Sequence, residues 1–392
     1  MNADMKIHQC PICSSTALQP FFKLENVPVF CNVLYEHQAE AKSCTRGDIH
    51  LAYCPICGFI TNTTFDQNLI SYTPVYENSL HFSTVFQNYA DTLVDDLIHR
   101  YDLHSKTIIE IGAGQGDFLV QLCRTGNNHG IGFDPAYTRN TVPDAENGYV
   151  LFVRDTYSER YSHYKADLFC CRHVLEHIDE PRQLISAIKE SADPDTALYF
   201  EVPNSAYTIS KRAVWDIIYE HCSYFTSDSL QYVFTANGFR VQEIKNGFED
   251  QYLSLYAVAD RPSDHVPEAS EKEPFYADLL SFQEQSNQLI NSWNQQLQTL
   301  HHQRSRVVFW GAGSKGTMFL NSVKQAETIS FVVDINPRKQ NHFIPGTGQR
   351  IIAPEELRKF QPDVIILANP VYLQEVQDKL EHLQLYPQVK TL

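Results

Sequence analysis

Four cysteines arrive as two identical Cys-Pro-Ile-Cys pairs, Cys10 with Cys13 and Cys54 with Cys57. Each pair lets two sulfurs reach one ion from a tight turn. Two such knuckles separated by a long loop suit a tetrahedral thiolate site for zinc. All four ligands would come from the protein, so the site is expected to be closed and structural. The alternatives are free thiols or a redox pair, but a redox motif needs only one knuckle, placed at a helix start. Cys31 and Cys44 are spare candidates between the pairs. Cys123, Cys170, Cys171 and Cys222 read as small buried hydrophobes.

A second chemistry-bearing segment is Lys106–Gly116, an apolar run that ends in Glu110 and then Gly112, Gly114 and Gly116. Glycines there let the backbone turn sharply and approach a ligand closely. Asp134 closes the next apolar stretch, where a carboxylate accepts both hydroxyls of a ribose. A dinucleotide site has the spacing G-x-G-x-x-G, and Glu110 would repel a pyrophosphate. The alternate-position spacing with a preceding acid is the pattern of class I S-adenosylmethionine (SAM) methyltransferases. A turn without a ligand is the plain alternative. Asp155 would reach the adenine end of such a pocket or simply hold a turn. His173 would line the cofactor pocket or cap the sheet edge.

A second turn, Gly311, Gly313 and Gly316 followed by Asp334, has the true G-x-G-x-x-G spacing. It suits a phosphate-bearing ligand or close helix–sheet packing. Lys315, Arg338 and Lys339 could meet a phosphate or lie on a solvated surface. Proton-handling candidates are His177, Glu220 and His221. An imidazole titrates near neutrality and suits a general base. Neighbouring residues do not face one another, so Glu220 need not touch His221.

The surrounding pattern says what holds these residues. Short apolar strands at 106–111, 130–134, 149–155, 166–174 and 196–204 alternate with helical stretches, which predicts a parallel, doubly wound sheet. A polar, proline-containing linker near 260–270 precedes a predicted long amphipathic helix. Its apolar positions are Leu279, Leu280, Leu289, Ile290, Trp293, Leu297 and Leu300. A smaller α/β unit follows. The expected division is 1–70 (zinc-binding), 71–262 (SAM-dependent core), 263–303 (linker and helix) and 304–392 (Rossmann-like).

The chain has 392 residues with 31 Lys+Arg against 47 Asp+Glu, a net charge of −16. That excess of acid excludes nucleic acid as the main partner, because phosphate binding needs clustered cations. No apolar run nears the roughly 18 residues that span a bilayer. The first ten residues lack the apolar centre of a signal peptide. A cytoplasmic protein with no membrane partner is expected.

Together these segments resemble the SAM-dependent C-methyltransferases of deoxysugar-nucleotide biosynthesis. The carriers are CPIC…CPIC, VYENSLHFS, IIEIGAGQGDFL, RHVLEHI, IIYEHCSYFT, VVFWGAGSKGTMFLN, VVDINPRKQNHFIPGTG and LANPVY. The resemblance spans essentially the whole chain. It implies a zinc-binding N-terminal domain, a class I methyltransferase core and a Rossmann-like C-terminal domain. It also implies an NDP-4-keto-deoxysugar substrate. A base would remove the proton beside the ketone, and the enolate carbon would take the methyl group from SAM. Carried over residue by residue, the catalytic set is Glu220, His221, His177 and Tyr76, with Tyr72 the alternative to Tyr76. The cofactor set is Glu110, Gly112, Gly114, Gly116, Asp134, Asp155 and His173.

Two departures mark the substrate side. The family's Tyr-x-Glu-His tyrosine falls on Ile218, with Tyr219 one place off. A His-Gly-Gly segment of the family is replaced by Gln251 and Tyr252 within Asp250–Ser254. O- or N-methyl transfer on the same scaffold, and a module that binds SAM or a nucleotide without turnover, are the competing readings.

Overall fold

The computed structural model of the chain describes residues 6–70, 76–139, 149–260 and 273–392. Tyr72 and most of the expected linker lie outside the described residues.

The N-terminal part holds β1 (Gln19–Pro28), the short α1 (Gln38–Lys42), β2 (Arg46–Tyr53) and β3 (Ile60–Asn62). The core begins with α2 (Thr84–Tyr101), whose entry is fixed by Ser83: its hydroxyl accepts from the Phe86 N–H. The chain leaves this helix at Asp102, in the left-handed region at φ 48°. Then follow β4 (Thr107–Ile111), α3 (Asp117–Gly126), β5 (His129–Phe133), β6 (Val150–Val153), β7 (Leu168–Arg172), α4 (Pro181–Ser191) and β8 (Ala197–Pro203). The core ends with α5 (Ser205–Ser210), β9 (Ser223–Tyr224), α6 (Ser227–Ala236), β10 (Phe239–Gly247) and β11 (Tyr252–Ala259).

The core sheet runs β10-β11-β8-β7-β4-β5-β6. Its centre is parallel, as the alternation of strands and helices predicts. The edge is not, because β11 pairs antiparallel with both β8 and β10. A short excursion over Phe248–Gln251 joins β10 to β11, so no crossover helix is needed there. The four-stranded N-terminal sheet, β1-β2-β3-β9, takes its last strand from the core: Ile60 pairs with Tyr224 and Thr61 with Ser223.

A 30-residue helix, α7 (Glu273–His302), leads to the C-terminal part. Leu279, Phe282, Trp293 and Leu297 are buried along it. Phe282 packs on Phe22 of β1, and Trp293 packs edge-on against Phe319. The helix thus clamps the N-terminal sheet to the C-terminal part. Leu280, expected on the same stripe, is 65% exposed. At 100° per residue it falls beside the buried face rather than on it. The remaining elements are β12 (Val307–Trp310), α8 (Ser314–Ser322), β13 (Phe331–Val333), β14 (Ile351–Ile352), α9 (Leu357–Phe360), β15 (Val364–Leu367), α10 (Leu373–His382) and β16 (Gln388–Thr391). They form an all-parallel sheet, β14-β13-β12-β15-β16.

Candidate active site

Both glycine-rich turns open from the C-terminal ends of central parallel strands, the first after β4 and the second after β12. Ligands of open α/β sheets bind beyond those strand ends. The two turns face one continuous cavity of about 1430 Å³.

At the first turn, Gly112 adopts φ 71°, and a Cβ there would lie 2.0 Å from Val174 Cγ2. At the middle glycine, Gly114, a Cβ would meet nothing within 4 Å, so bare backbone faces the cavity. Asp134 is held by two backbone donors: the Gly114 N–H at 2.8 Å on one oxygen and the Ala136 N–H at 2.7 Å on the other. Glu110 is buried, and its Oε2 has no hydrogen-bond partner. Burial pushes its pKa up to about 8, with Arg172 opposing. Asp155 lines the same cavity, and its carboxylate is engaged by the Tyr161 hydroxyl at 2.6 Å and by Arg160. A bare turn, a fixed carboxylate and a buried acid with one unpartnered oxygen form a cradle that fits a ribose.

The second turn repeats the device. Asp334 accepts from the Ala312 N–H at 2.8 Å and from the Asn336 N–H at 2.8 Å. Gly313 is again bare, with nothing within 4 Å of a Cβ. Its cations are already matched, however. Lys315 pairs with Asp216, and Arg338 pairs with Glu77 at 3.1 Å. Lys339 is buried and donates to Asn32 Oδ1 at 3.1 Å and to the Ala312 carbonyl at 3.0 Å.

The imidazoles line the same cavity. His177 ends the turn after β7, and its Nδ1 lies 3.0 Å from the Glu220 carbonyl. A carbonyl only accepts, so that nitrogen carries the proton. His221 packs edge-on against His177, ring centres 4.8 Å apart. Burial and the neighbouring His177 and His173 hold its pKa well below the usual histidine range, so it is neutral at pH 7. The Glu220 side chain turns the other way. It accepts from the Cys31 N–H at 2.9 Å and hydrogen-bonds the Tyr76 hydroxyl, and burial raises its pKa. His221 therefore lines the cavity, whereas Glu220, expected in the catalytic set, lies behind the lining and reaches it through Tyr76.

Tyr219 does not enter the cavity. It is buried against Phe65, and its hydroxyl accepts from the Asp66 N–H at 3.0 Å, in the N-terminal sheet's core. Ile218 faces the cavity instead, so no tyrosine of this segment lines it. Gln251 lines it too, exchanging amide hydrogen bonds with Asn369 at 2.9 and 3.3 Å.

His173 belongs to a cluster that sequence reading did not foresee. Its Nε2 lies 3.0 Å from Glu201 Oε1, and its Nδ1 lies 3.6 Å from Glu176. Burial alone would lower its pKa, but these two carboxylates outweigh it and raise the pKa to about 9. Glu201 also accepts from Arg172 at 2.9 and 3.1 Å, from Tyr199 at 3.0 Å and from Tyr89. Burial disfavours its charge, yet Arg172 and His173 hold it ionised. Besides Tyr199 on the same strand, the partners of Glu201 come from α2 and from β7 with its exit turn.

The four knuckle sulfurs lie within 4.8 Å of one another, with Cys10–Cys57 and Cys13–Cys54 both at 3.5 Å. Tetrahedral bonds of about 2.3 Å place sulfurs about 3.8 Å apart, which this cluster fits. Its knuckles pack on the core through Phe59 against Phe225, ring centres 5.1 Å apart.

Family models match two stretches of the chain: a methyltransferase domain over residues 86–244 and a C-methyltransferase C-terminal domain over residues 263–385. The chain is a SAM-dependent methyltransferase that carries a C-methyltransferase C-terminal domain. Among curated proteins, the methyltransferase is 25% identical over 312 residues to C-methyltransferase NovU of Streptomyces niveus, covering 73% of this chain and 72% of that one. It is 27% identical over 117 residues to a ubiquinone biosynthesis O-methyltransferase of Hahella chejuensis, covering 28% and 49%. Among solved structures, it aligns with magnesium protoporphyrin IX methyltransferase of Synechocystis at 16% identity and a TM-score of 0.36, covering 47% and 89%. Among the described residues of the methyltransferase, no helix is long and apolar enough to cross a membrane.

Proposed function

We propose that the enzyme methylates a carbon beside the ketone of a nucleotide-linked keto-deoxysugar, through an enolate. One observation carries this reading. Two ribose-type carboxylates, Asp134 and Asp334, are each fixed by two backbone donors and line one cavity together with the edge-on pair of His177 and His221. The similarity to C-methyltransferase NovU and the C-methyltransferase C-terminal domain support it.

Glu110, Gly114 and Asp134 hold SAM, which supplies an electrophilic methyl group when bound. Asp334 and the bare Gly313 turn hold the nucleotide. His221, kept neutral by burial, takes the proton from the carbon beside the ketone, and His177 fixes its orientation by ring packing. Tyr76 lines the cavity, and Glu220 holds its hydroxyl from behind. Closing these groups around the substrate excludes water and aligns the two carbons. Ile218 and Gln251 replace the family's groups on the substrate side and shape which sugar is accepted.

The test incubates methyl-13C SAM with a panel of NDP-4-keto-deoxysugars and reads products by NMR. A labelled methyl on carbon, with SAM-independent deuterium exchange beside the ketone, is expected. A label on oxygen would transfer the reading to O-methylation. Absence of transfer to every keto-sugar, with SAM bound, would overturn the substrate class.

Zinc in the Cys10, Cys13, Cys54 and Cys57 cluster completes the reading as a closed structural site. Metal analysis of the intact protein should find one zinc per chain, and Cys54→Ser should lose it. Full retention of zinc in that variant would place the metal elsewhere.

A further inference from the structure

The wall behind Glu220 is built from three parts of the chain. Cys31 and Asn32 come from the N-terminal part, just beyond β1 and before α1. The Cys31 N–H donates to Glu220 Oε2 at 2.9 Å. Its carbonyl accepts from the Thr317 hydroxyl at 3.0 Å. Thr317 lies on α8, the helix that starts at the second glycine-rich turn, and it is fully buried. One peptide segment thus joins that helix to Glu220 through two hydrogen bonds.

The next residue makes a parallel connection. Asn32 Oδ1 accepts from Lys339, and its Nδ2 donates to the Ser314 hydroxyl at 3.1 Å. The same Nδ2 lies 3.5 Å from the Tyr76 hydroxyl, which itself bonds Glu220. Lys339 also donates to the carbonyl of Ala312, and the Ala312 N–H donates to Asp334. Cys31, Asn32 and Thr317 are all buried, so water cannot take over these bonds, and an unmade bond there is costly.

We propose that the Cys31–Asn32 segment is the positioning element of the active site: it fixes Glu220 and Tyr76 from the second glycine-rich turn, with Thr317 and Lys339 as its anchors. This rests on the reading of Tyr76, held from behind by Glu220, as part of the catalytic cavity. Its consequence is that a ligand seated against Asp334 and the Gly313 turn is sensed at Glu220. The path runs through two side-chain-to-backbone bonds, without any movement of whole domains. The N-terminal part then has a role at the active site besides that of its cysteine cluster.

Thr317 gives the sharpest test, because Val has nearly the same shape without the hydroxyl and Ser keeps the hydroxyl. The chain has ten cysteines. Selective 15N-cysteine labelling therefore gives a short list of amide signals, and Cys31→Ala identifies the one from residue 31. Glu220→Gln should shift that signal, since the amide donates to the carboxylate. Thr317→Val should shift it as well, leave the Cys123 and Cys170 signals in place, and lower kcat about tenfold or more with SAM affinity unchanged. Thr317→Ser should restore both the signal position and the rate. The signal is read in the resting protein, so it stands even if keto-sugars prove not to be substrates. The inference is overturned if Thr317→Val leaves the Cys31 signal at its wild-type position. It is equally overturned if Thr317→Ser behaves as Thr317→Val does, because the effect would then be one of packing alone.

Discussion

At the first glycine-rich turn, a carboxylate held by two backbone donors stands beside a bare glycine and an acid with an unpartnered oxygen. At the second turn, the same carboxylate and the same bare glycine stand among cations that are already paired. Asp134 and Asp334 make equivalent contacts, yet two residues before the first glycine stands Glu110 at one turn and Phe309 at the other, and five residues beyond the aspartates Arg139 pairs with Asp117 at one turn while Lys339 bonds Asn32 and the Ala312 carbonyl at the other. The first turn leaves one Glu110 oxygen without a partner. At the second, a ligand must compete with Asp216 and Glu77 for Lys315 and Arg338. Under the proposed function the repeated backbone device would meet a ribose at each turn, and the flanking charges would decide which ribose-bearing molecule is taken.

The largest effect that would break this comparison lies at the imidazole pair. His221→Ala should lower kcat by about 10²- to 10⁴-fold while leaving SAM affinity by calorimetry unchanged. An equal loss in both would place His221 at the first turn rather than at the chemistry. Asp134→Ala should weaken SAM by about 10- to 100-fold, the worth of a single charge-assisted hydrogen bond at about 1.5–3 kcal/mol. Asp334→Ala should leave SAM affinity alone and weaken a nucleoside diphosphate instead. If both substitutions weaken SAM alike, the two turns do not hold separate ligands.

The backbone sharpens the contrast further. Gly112→Ala forces a side chain into Val174 at positive φ and should cost about 2 kcal/mol or more in thermal unfolding. Gly313→Ala meets open space and should stay within about 0.5 kcal/mol of wild type. A large loss at Gly313 would mean that its backbone is not bare.

The smallest effect concerns pH. His173 has a folded-state pKa near 9, above its unfolded value of about 6.5. Its stabilisation is complete below about pH 6.5 and is lost as pH rises through 9. Relative to His173→Gln, wild-type stability should therefore fall between these values in thermal scans. A difference that stays constant with pH would show that the ion pairs with Glu176 and Glu201 do not form.

Spacing along the chain carried much of this. Gly112, Gly114, Gly116 and Asp134 are legible because a strand, a turn and the next strand bring them together locally. The two Cys-Pro-Ile-Cys pairs are legible because each knuckle is complete within four residues. The central parallel strands and the long helix followed from periodicity. Other features needed the structure. Tyr219 and Ile218 differ by one position, and only the packing of Tyr219 under Phe65 shows which of them faces the cavity. The Glu201 cluster draws Tyr89 from α2 and Arg172 from β7, segments with no local pattern in common. The antiparallel edge of the core sheet was not legible, because residues 239–259 lie beyond the last strand that the strand–helix alternation predicts.

Strand β9 lies two residues beyond His221, and it is the last strand of a sheet that the first 62 residues begin. Anyone recombining relatives of this enzyme therefore faces an indivisible cassette. Exchanging the cysteine-bearing segment alone would reset the backbone beside the imidazole pair, and exchanging residues 217–226 alone would leave the donor sheet without its edge. The two pieces must travel together, although more than 150 residues of sequence lie between them.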